Sequence, residues 1–269
     1  MVIAGREFDL ESNCYIMGIL NVTPDSFSDG GKWTAPDIAI KHAQYMCDNG
    51  ADIIDIGGES SRPGHESITV QEELDRTIPV IEAIGSRIDT PISIDTCKSV
   101  VAQEAINAGA DLVNDIWGLK SDPEMAGVIA KSGLPCCLMH NRMDMDYKDF
   151  ISDFLEDLKQ SLTLAEAAGI APDKIVLDPG IGFAKTHEMN LEAINKIDVL
   201  KNLGYPVLLG ASRKRVVGYT LNLPVEERVE GSVAAAVVGM IRGCAFVRVH
   251  DVKETFRAIN MASAIVKTK

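Results

Sequence analysis

The feature that most restricts the fold is a repeat of two kinds of segment. A short apolar run rich in Ile, Val and Leu ends in polar residues or glycine, and a longer amphipathic segment follows. This happens eight times in 269 residues. The runs are YIMGILNV (15–22), ADIIDIGG (51–58), PISIDT (91–96), LVNDI (112–116), LPCCLMH (134–140), KIVLDPG (174–180), PVLLGAS (206–212) and AFVRVHD (245–251). Their hydrophobicity is continuous rather than alternating, as in strands of a parallel sheet buried on both faces. The stretches between them have helical spacing. Val70, Leu74, Ile78, Ile81 and Ile84 recur in one, and Phe150, Phe154, Leu158, Leu162 and Ala165 in another. Gly50, Gly109, Gly133 and Gly204 stand where helices should end.

Eight β-α units in about 250 residues are the arithmetic of a closed (β/α)8 barrel. No linker or low-complexity stretch divides the chain, so one domain over residues 1–269 is expected. An open doubly wound sheet is the alternative, but it usually has fewer strands and a G-x-G-x-x-G turn, which this sequence lacks. The longest turns, residues 22–36 and 59–69, are rich in Gly, Ser, Pro and Asp. They are expected to be mobile active-site loops.

Charge and composition remove several classes of function. The net charge of −13 disfavours nucleic acid and anionic membranes as partners. The longest apolar stretch, Val233 to Ile241, falls far short of the roughly 20 residues that span a bilayer. No basic stretch followed by an apolar one opens the chain, so a secretory signal is not expected. The six cysteines form no C-x-x-C pair and read as buried, reduced thiols of a cytoplasmic protein. The charge is uneven: residues 205–269 hold ten Lys+Arg against five Asp+Glu, while the first 204 residues are strongly acidic.

In a barrel of this kind the active site forms at the C-terminal ends of the strands. The last residues of the runs are Asn21, Asp55, Asp95, Asn114 with Asp115, His140, Asp178, Ser212, and Arg248 with His250. Any one of them could simply cap the next helix. A ring of them at equivalent strand ends points to a site, because burying polar groups without partners is costly. Asp95, Asn114 and Asp178 suit a flat heterocycle with N–H, amino and carbonyl edges. Ser212, Arg213, Lys214, Arg215, Arg248 and His250 offer cations and backbone N–H groups, as a phosphate site requires. The Asn21 amide oxygen is a hard donor suited to Mg2+ beside diphosphate oxygens, or else a local anchor for the loop after it. His140, beside Met139, reads as wall rather than acid. Zinc spacings, a G-x-S-x-G elbow and a Walker loop are absent from the sequence.

Seven segments carry a resemblance. MGILNVTPDSFSDGG (17–31), DIGGESSRPG (55–64), SIDT (93–96), ND (114–115), DPGIGFAKT (178–186), GASRKR (210–215) and RVHDVKET (248–255) resemble the dihydropteroate synthases, in that family's order and over the whole chain. The resemblance implies a (β/α)8 barrel and a homodimer. It also implies transfer of a dihydropterin-methyl group from its diphosphate to 4-aminobenzoate, with Mg2+, in folate synthesis. It assigns the pterin to Asp95, Asn114, Asp178, Lys214, Arg248, Met139 and Gly210. It assigns the diphosphate to Asn21, Arg248, His250, Ser61 and Arg62, with Asn21 as the Mg2+ contact. It assigns aminobenzoate, and the sulfonamides that compete with it, to Ser61, Arg62, Pro63, Phe183, Lys214 and Arg215. Asp95, Lys214 and Arg248 would carry the catalysis. Two positions depart from the family's pattern. Ser61 replaces a usual Thr, and Arg215 stands where many members have a Ser that meets the aminobenzoate carboxylate, which leaves that carboxylate to a helix N-terminus, to Arg215 or to neither. A corrinoid methyltransferase using methyltetrahydrofolate would keep the pterin contacts but needs no diphosphate site. A non-catalytic barrel would be expected to lose one half of the ring, and both halves are present.

Overall fold

The computed structural model describes residues 1–23, 35–59 and 67–268. A short antiparallel hairpin comes first, β1 (Val2–Ile3) and β2 (Arg6–Glu7). The eight apolar runs then form β3 (Tyr15–Asn21), β4 (Ile53–Gly57), β5 (Ile92–Asp95), β6 (Leu112–Asp115), β7 (Cys136–Met139), β8 (Ile175–Asp178), β9 (Leu208–Leu209) and β10 (Phe246–Val249). They pair in parallel in the order β8-β7-β6-β5-β4-β3-β10-β9. A parallel bridge between Leu177 and Val207 joins the two ends of that order. Among the described residues, eight parallel strands therefore make a closed (β/α)8 barrel, as the repeat predicts.

Ten helices lie around it among the described residues: α1 (Ala35–Asp48), α2 (Val70–Gly85), α3 (Ser99–Asn107), α4 (Met125–Ser132), α5 (Phe150–Ala168), α6 (His187–Asn195), α7 (Ile197–Lys201), α8 (Arg215–Leu221), α9 (Val229–Ile241) and α10 (Val252–Lys267). The four glycines that punctuate the sequence adopt left-handed φ, Gly50 at +101°, Gly109 at +109°, Gly133 at +68° and Gly204 at +87°. That is the conformation a side chain resists and a helix end needs. None of the helices in the described residues is long and apolar enough to cross a membrane.

Continuous hydrophobicity has a simple cause here. Outward strand residues such as Ile54, Ile94, Val113, Leu138, Leu177 and Val247 join the helices in one core. Inward residues Met17, Ile53, Leu112, Cys137, Val176, Leu208 and Phe246 make a second core inside the barrel, together with Ile3 and Phe8 from the N-terminal segment. Both strand faces are dry, so both are apolar. The Phe8 ring packs edge-on to Tyr15 with centroids 4.7 Å apart. It thereby stops the end of the barrel at which the strands begin.

Two details refine the expectations. The helix read from Val70, Leu74, Ile78, Ile81 and Ile84 forms as α2, and its fully buried face is rotated onto Glu73, Thr77, Val80, Ile81 and Ile84, with Leu74 and Ile78 only partly buried against the core. The end of β4 explains the rotation: a side chain at Gly58 would meet Thr77 Cγ2 at 2.7 Å. The helix thus lies against the strand through a small residue, and the buried carboxylate of Glu73 is bound by Lys98 at 2.5 Å. The cysteines are all free, but Cys14, Cys47 and Cys97 are only half-buried.

Candidate active site

Strand residues point alternately to the two faces. The inward positions one or two steps above the apolar lumen are therefore Asn21, Asp55, Ser93, Asp95, Asn114, Met139, Asp178, Gly210 and Arg248. Most of the polar ring read from the strand ends thus faces the lumen above a layer of hydrocarbon, whereas Asp115 and His140 take the alternate positions and turn away from it.

Arg248 lies at the centre of that layer. Its Nε donates to Asp55 Oδ2 at 2.5 Å and its Nη2 to Asp95 Oδ2 at 2.5 Å. Asn114 Nδ2 reaches Asp55 Oδ2 at 3.4 Å. Burial pushes the Asp95 carboxyl up, against the pull of Arg248, and the nearby Asp55 adds to the rise. Asp178, across the mouth, is also raised by burial, while Lys214 and the Gly180 N–H pull it down. That N–H donates to Asp178 Oδ1 at 2.7 Å. Both carboxyls are short of compensation, so both gain from a ligand that brings N–H donors or positive charge. A side chain at Gly210 would stand 3.5 Å from Asp178 Oδ2, 3.8 Å from Lys214 Nζ and 3.9 Å from Arg248 Cβ. The glycine leaves that space open between the three.

Lys214 caps the start of α8, and its Nζ lies 4.9 Å from the centroid of the Phe183 ring. Burial lowers its pKa to about 8, even though Asp178 supports the charge. The rest of the basic run divides. Arg213 is tied to Asp251 by Nε at 3.0 Å and Nη2 at 2.5 Å, so its charge is spent on holding the turn. Arg215 is exposed at the first residue of α8. The His250 backbone N–H donates to Ser212 Oγ at 3.1 Å, and Ser212 Oγ lies 3.0 Å from His250 Nδ1. The hydroxyl can accept the first contact and still either donate to Nδ1 or accept from Nδ1–H, so the two contacts pin the ring by its Nδ1 edge in either tautomer. Burial and the Arg248 charge pull the His250 pKa down to about 3. The ring is neutral, not a cation.

Asn21 closes β3 and is exposed. The described residues contain no group of three or more His, Cys, Asp or Glu side chains able to hold a metal. One amide oxygen at an open mouth fits Mg2+ only as a partner to phosphate oxygens and water, which is how Mg2+ commonly binds.

Comparison with known proteins agrees with the fold. Residues 17–250 match the family described as pterin binding enzyme. The dihydropteroate synthase of Clostridium beijerinckii is 56% identical over 99% of this chain and 100% of that protein. The Clostridium difficile dihydropteroate synthase, crystallised in the presence of pteroic acid, aligns with a TM-score of 0.94 at 50% identity, covering 97% of this chain and 100% of that one. The Xanthomonas albilineans enzyme with 4-aminobenzoic acid aligns at 0.95 and 40% identity, covering 99% and 98%. The chain belongs to the dihydropteroate synthase family.

In this synthase, Asp95, Asn114, Met139, Asp178, Gly210, Lys214 and Arg248 converge on one space. Ser61, Arg62 and Pro63, and most of the two long turns, lie outside the described residues. His140 is fully buried behind the mouth, with Asp157 at 2.9 Å on one ring nitrogen and Lys185 at 2.7 Å on the other. Two contacts go beyond the strand-end ring, which names Asp55 and Arg248 but not their pairing. Asp55 is an equal partner of Asp95 on Arg248. Lys98 joins Glu73 on α2 to Glu59, at the start of the second turn. Glu59 in turn accepts the N–H of Ile68, near the end of that turn, at 3.3 Å. A buried acidic residue on an otherwise apolar helix face is the signal that could have pointed to Lys98.

Proposed function

We propose that this synthase joins 4-aminobenzoate to (7,8-dihydropterin-6-yl)methyl diphosphate, giving 7,8-dihydropteroate and diphosphate. The observation that carries this reading is the single inward layer in which Asp95, Asn114 and Asp178 share a space with Lys214 and Arg248. The pteroic acid and 4-aminobenzoic acid named with the two similar structures support it.

In this reading Asp178, Asn114 and Asp95 take the donor and acceptor edges of the pterin, which enters the space beside Gly210 and Met139. Arg248 stacks on the ring, and Lys214 covers it. Arg248, His250 and Asn21 face the diphosphate. Asn21 would help to hold Mg2+ through its amide oxygen, and the ion would supply charge neutralisation to the leaving group. The C–O bond to diphosphate breaks with its electron pair going to diphosphate, and Arg248 stabilises that charge. The lone pair of the neutral aromatic amine then forms the C–N bond, and the amine proton passes to solvent. Positive charge developing on the pterin methylene is stabilised by Asp95 and Asp178, whose carboxyls burial has left under-compensated. Phe183 and Lys214 form one wall for aminobenzoate, with Arg215 near its carboxylate.

The chain is read as one pterin-binding domain acting in the cytoplasm as a homodimer. Exposed Leu191 on α6, Tyr219 and Leu221 on α8, and Val238 and Ile241 on α9 support a partner surface on the helices after β8. Light scattering should give twice the mass of the chain.

The function is tested by mixing the protein with Mg2+, the pterin diphosphate and aminobenzoate, and measuring diphosphate. Release that depends on aminobenzoate and matches product one for one is expected. Asp95→Asn should lower kcat/KM by about 100-fold or more, the scale of a lost electrostatic stabiliser. Turnover and pterin affinity that both survive within a few-fold would sink the role given to the acidic side.

A further inference from the structure

A second buried cation is wired into the turn that follows β8. This turn, residues 178–186, reads Asp-Pro-Gly-Ile-Gly-Phe-Ala-Lys-Thr. It presents Asp178 at one end and Phe183 near its middle. Lys185 folds back beneath it, 8% exposed. Its ammonium lies 3.1 Å from the Gly180 carbonyl oxygen, 3.1 Å from that of Phe183 and 2.7 Å from His140 Nδ1. An ammonium has three N–H donors, and here each has its own acceptor. His140 can accept at Nδ1 only with its proton on Nε2, and Nε2 donates to Asp157 at 2.9 Å. Burial pulls the His140 pKa down to about 4, so the ring is neutral and its two nitrogens have fixed roles. Asp157 lies on α5, where it also meets Arg142 Nε at 3.5 Å.

The turn has a shape that needs such a tie. Gly180 at φ +66°, Gly182 at +88° and Ala184 at +44° are left-handed within five residues. These reversals aim the carbonyls of residues 180 and 183 at one point, where the ammonium sits. A side chain at Gly180 would come within 2.0 Å of the His140 carbonyl oxygen, so the turn rests directly on the end of β7. The flanking groups are held as well. Tyr147 Oη donates to the Ala184 carbonyl at 2.9 Å, and the Gly182 N–H to Asn190 Oδ1 at 2.6 Å. Phe183 is fixed through its backbone, and its ring is left to face Lys214.

We propose that Lys185 is a positioning residue for aminobenzoate: oriented by His140 and Asp157, its ammonium holds the backbone of Phe183 and so sets the wall that Phe183 and Lys214 form, without touching substrate. The proposal rests on the assignment of Phe183 and Lys214 to the aminobenzoate pocket. It also makes the wall sensitive to the charge of Lys185. Burial lowers the Lys185 pKa to about 7; Asp178 from β8 and Asp157 from α5 support its charge, and Lys214 and Lys120 oppose it. His140 faces it as a neutral acceptor, and the Phe154 ring lies 5.5 Å away.

The test is steady-state kinetics with both substrates between pH 6 and 9 for Lys185→Met, Asp157→Asn and Phe183→Ala. Lys185→Met should raise KM for aminobenzoate at least tenfold while KM for the pterin diphosphate stays within threefold. Asp157→Asn keeps an oxygen for His140 but removes the charge that supports Lys185. It should move the alkaline fall of kcat/KM for aminobenzoate to lower pH. A rise of similar size in both KM values for Lys185→Met, or an Asp157→Asn profile that overlays the unmodified protein, overturns the proposal while Phe183→Ala still raises the aminobenzoate KM. If Phe183→Ala leaves that KM unchanged, the pocket assignment itself fails and the proposal falls with it. Asp157 is partly exposed, so its variant decides between the outcomes even if Lys185→Met does not fold.

Discussion

Arg248 and Lys185 are both buried at the same barrel mouth, and they are held in opposite ways. Arg248 has a carboxylate on each side, Asp55 and Asp95, each at 2.5 Å. Burial alone would lower its pKa, but the two carboxylates overcome that and hold it above the ordinary arginine value. Lys185 is bound by two carbonyls and a neutral imidazole, none of which carries a full charge. Burial wins there, and its pKa falls to about 7. The contrast separates two uses of a buried cation. One that is over-matched by carboxylates stays charged at every working pH and suits an anionic leaving group. One bound only by dipoles fixes the shape of a turn, and its proton is available to be lost.

The largest effect that would test this contrast is expected at Arg248. Arg248→Lys removes the fork that spans two carboxylates and leaves at least one of them unmatched in a buried site. Breaking a buried pair costs about 3–5 kcal/mol. Activity should fall by about 100-fold or more, measured as kcat/KM for the pterin diphosphate; a loss under tenfold would mean the spanning geometry matters little. Next comes Asp55→Asn, which weakens one charge-assisted bond worth about 1.5–3 kcal/mol. A loss of about tenfold in the same measurement is expected, and no loss would show that Asp95 alone holds the guanidinium. A smaller change is expected for His250→Asn. A few-fold lower rate with an unaltered pH profile follows if His250 works as a neutral ring, and a lost acidic limb would contradict that.

The smallest effect is an absence of titration. The ring protons of His140 and His250 should hold their neutral chemical shifts from pH 8 down to 5, followed by NMR. The linked stability has a definite sign. Both pKa values are lower folded, about 4 and about 3, than in an unfolded chain. The unfolded state therefore takes up protons that the folded rings refuse. Stability from this source is complete above about pH 6.5 and declines as pH drops toward the folded values. A thermal midpoint that rises on acidification from pH 6.5 to 5 would refute it.

The barrel was legible because its signal is redundant. Each strand is apolar on both faces, and each ends in a group that has no business in a core. Asp95, Asn114, Asp178 and Arg248 could be picked out residue by residue on that ground. Alternation then accounts for Met139 and Gly210 as members of the same inward layer. Three things could not be read this way. The N-terminal hairpin has strands of two residues, too short to show a period. The burial of Glu73 depends on Lys98, 25 residues away in the chain, and the spacing of apolar residues that marks a helix does not mark a buried carboxylate on it. Lys185 and the two carbonyls it binds lie within a segment quoted for its family likeness, but the groups that orient it do not. His140 is 45 residues away, and Asp157 meets it from a different helix. Fixed spacing cannot reveal a contact that only barrel closure creates.

The packing of Ile3 and Phe8 into the lower lumen has a consequence for traffic. A barrel closed at its floor is a well rather than a corridor, and a well imposes a queue. On the proposed assignments, the heterocycle lies deepest, on the strand-end layer, and aminobenzoate rests above it against the turn after β8. What sits lowest must arrive first, and once the C–N bond has formed the two leave together as one product. The order of arrival at this mouth is then a matter of depth, above a floor that two side chains help to close at the far end of the barrel.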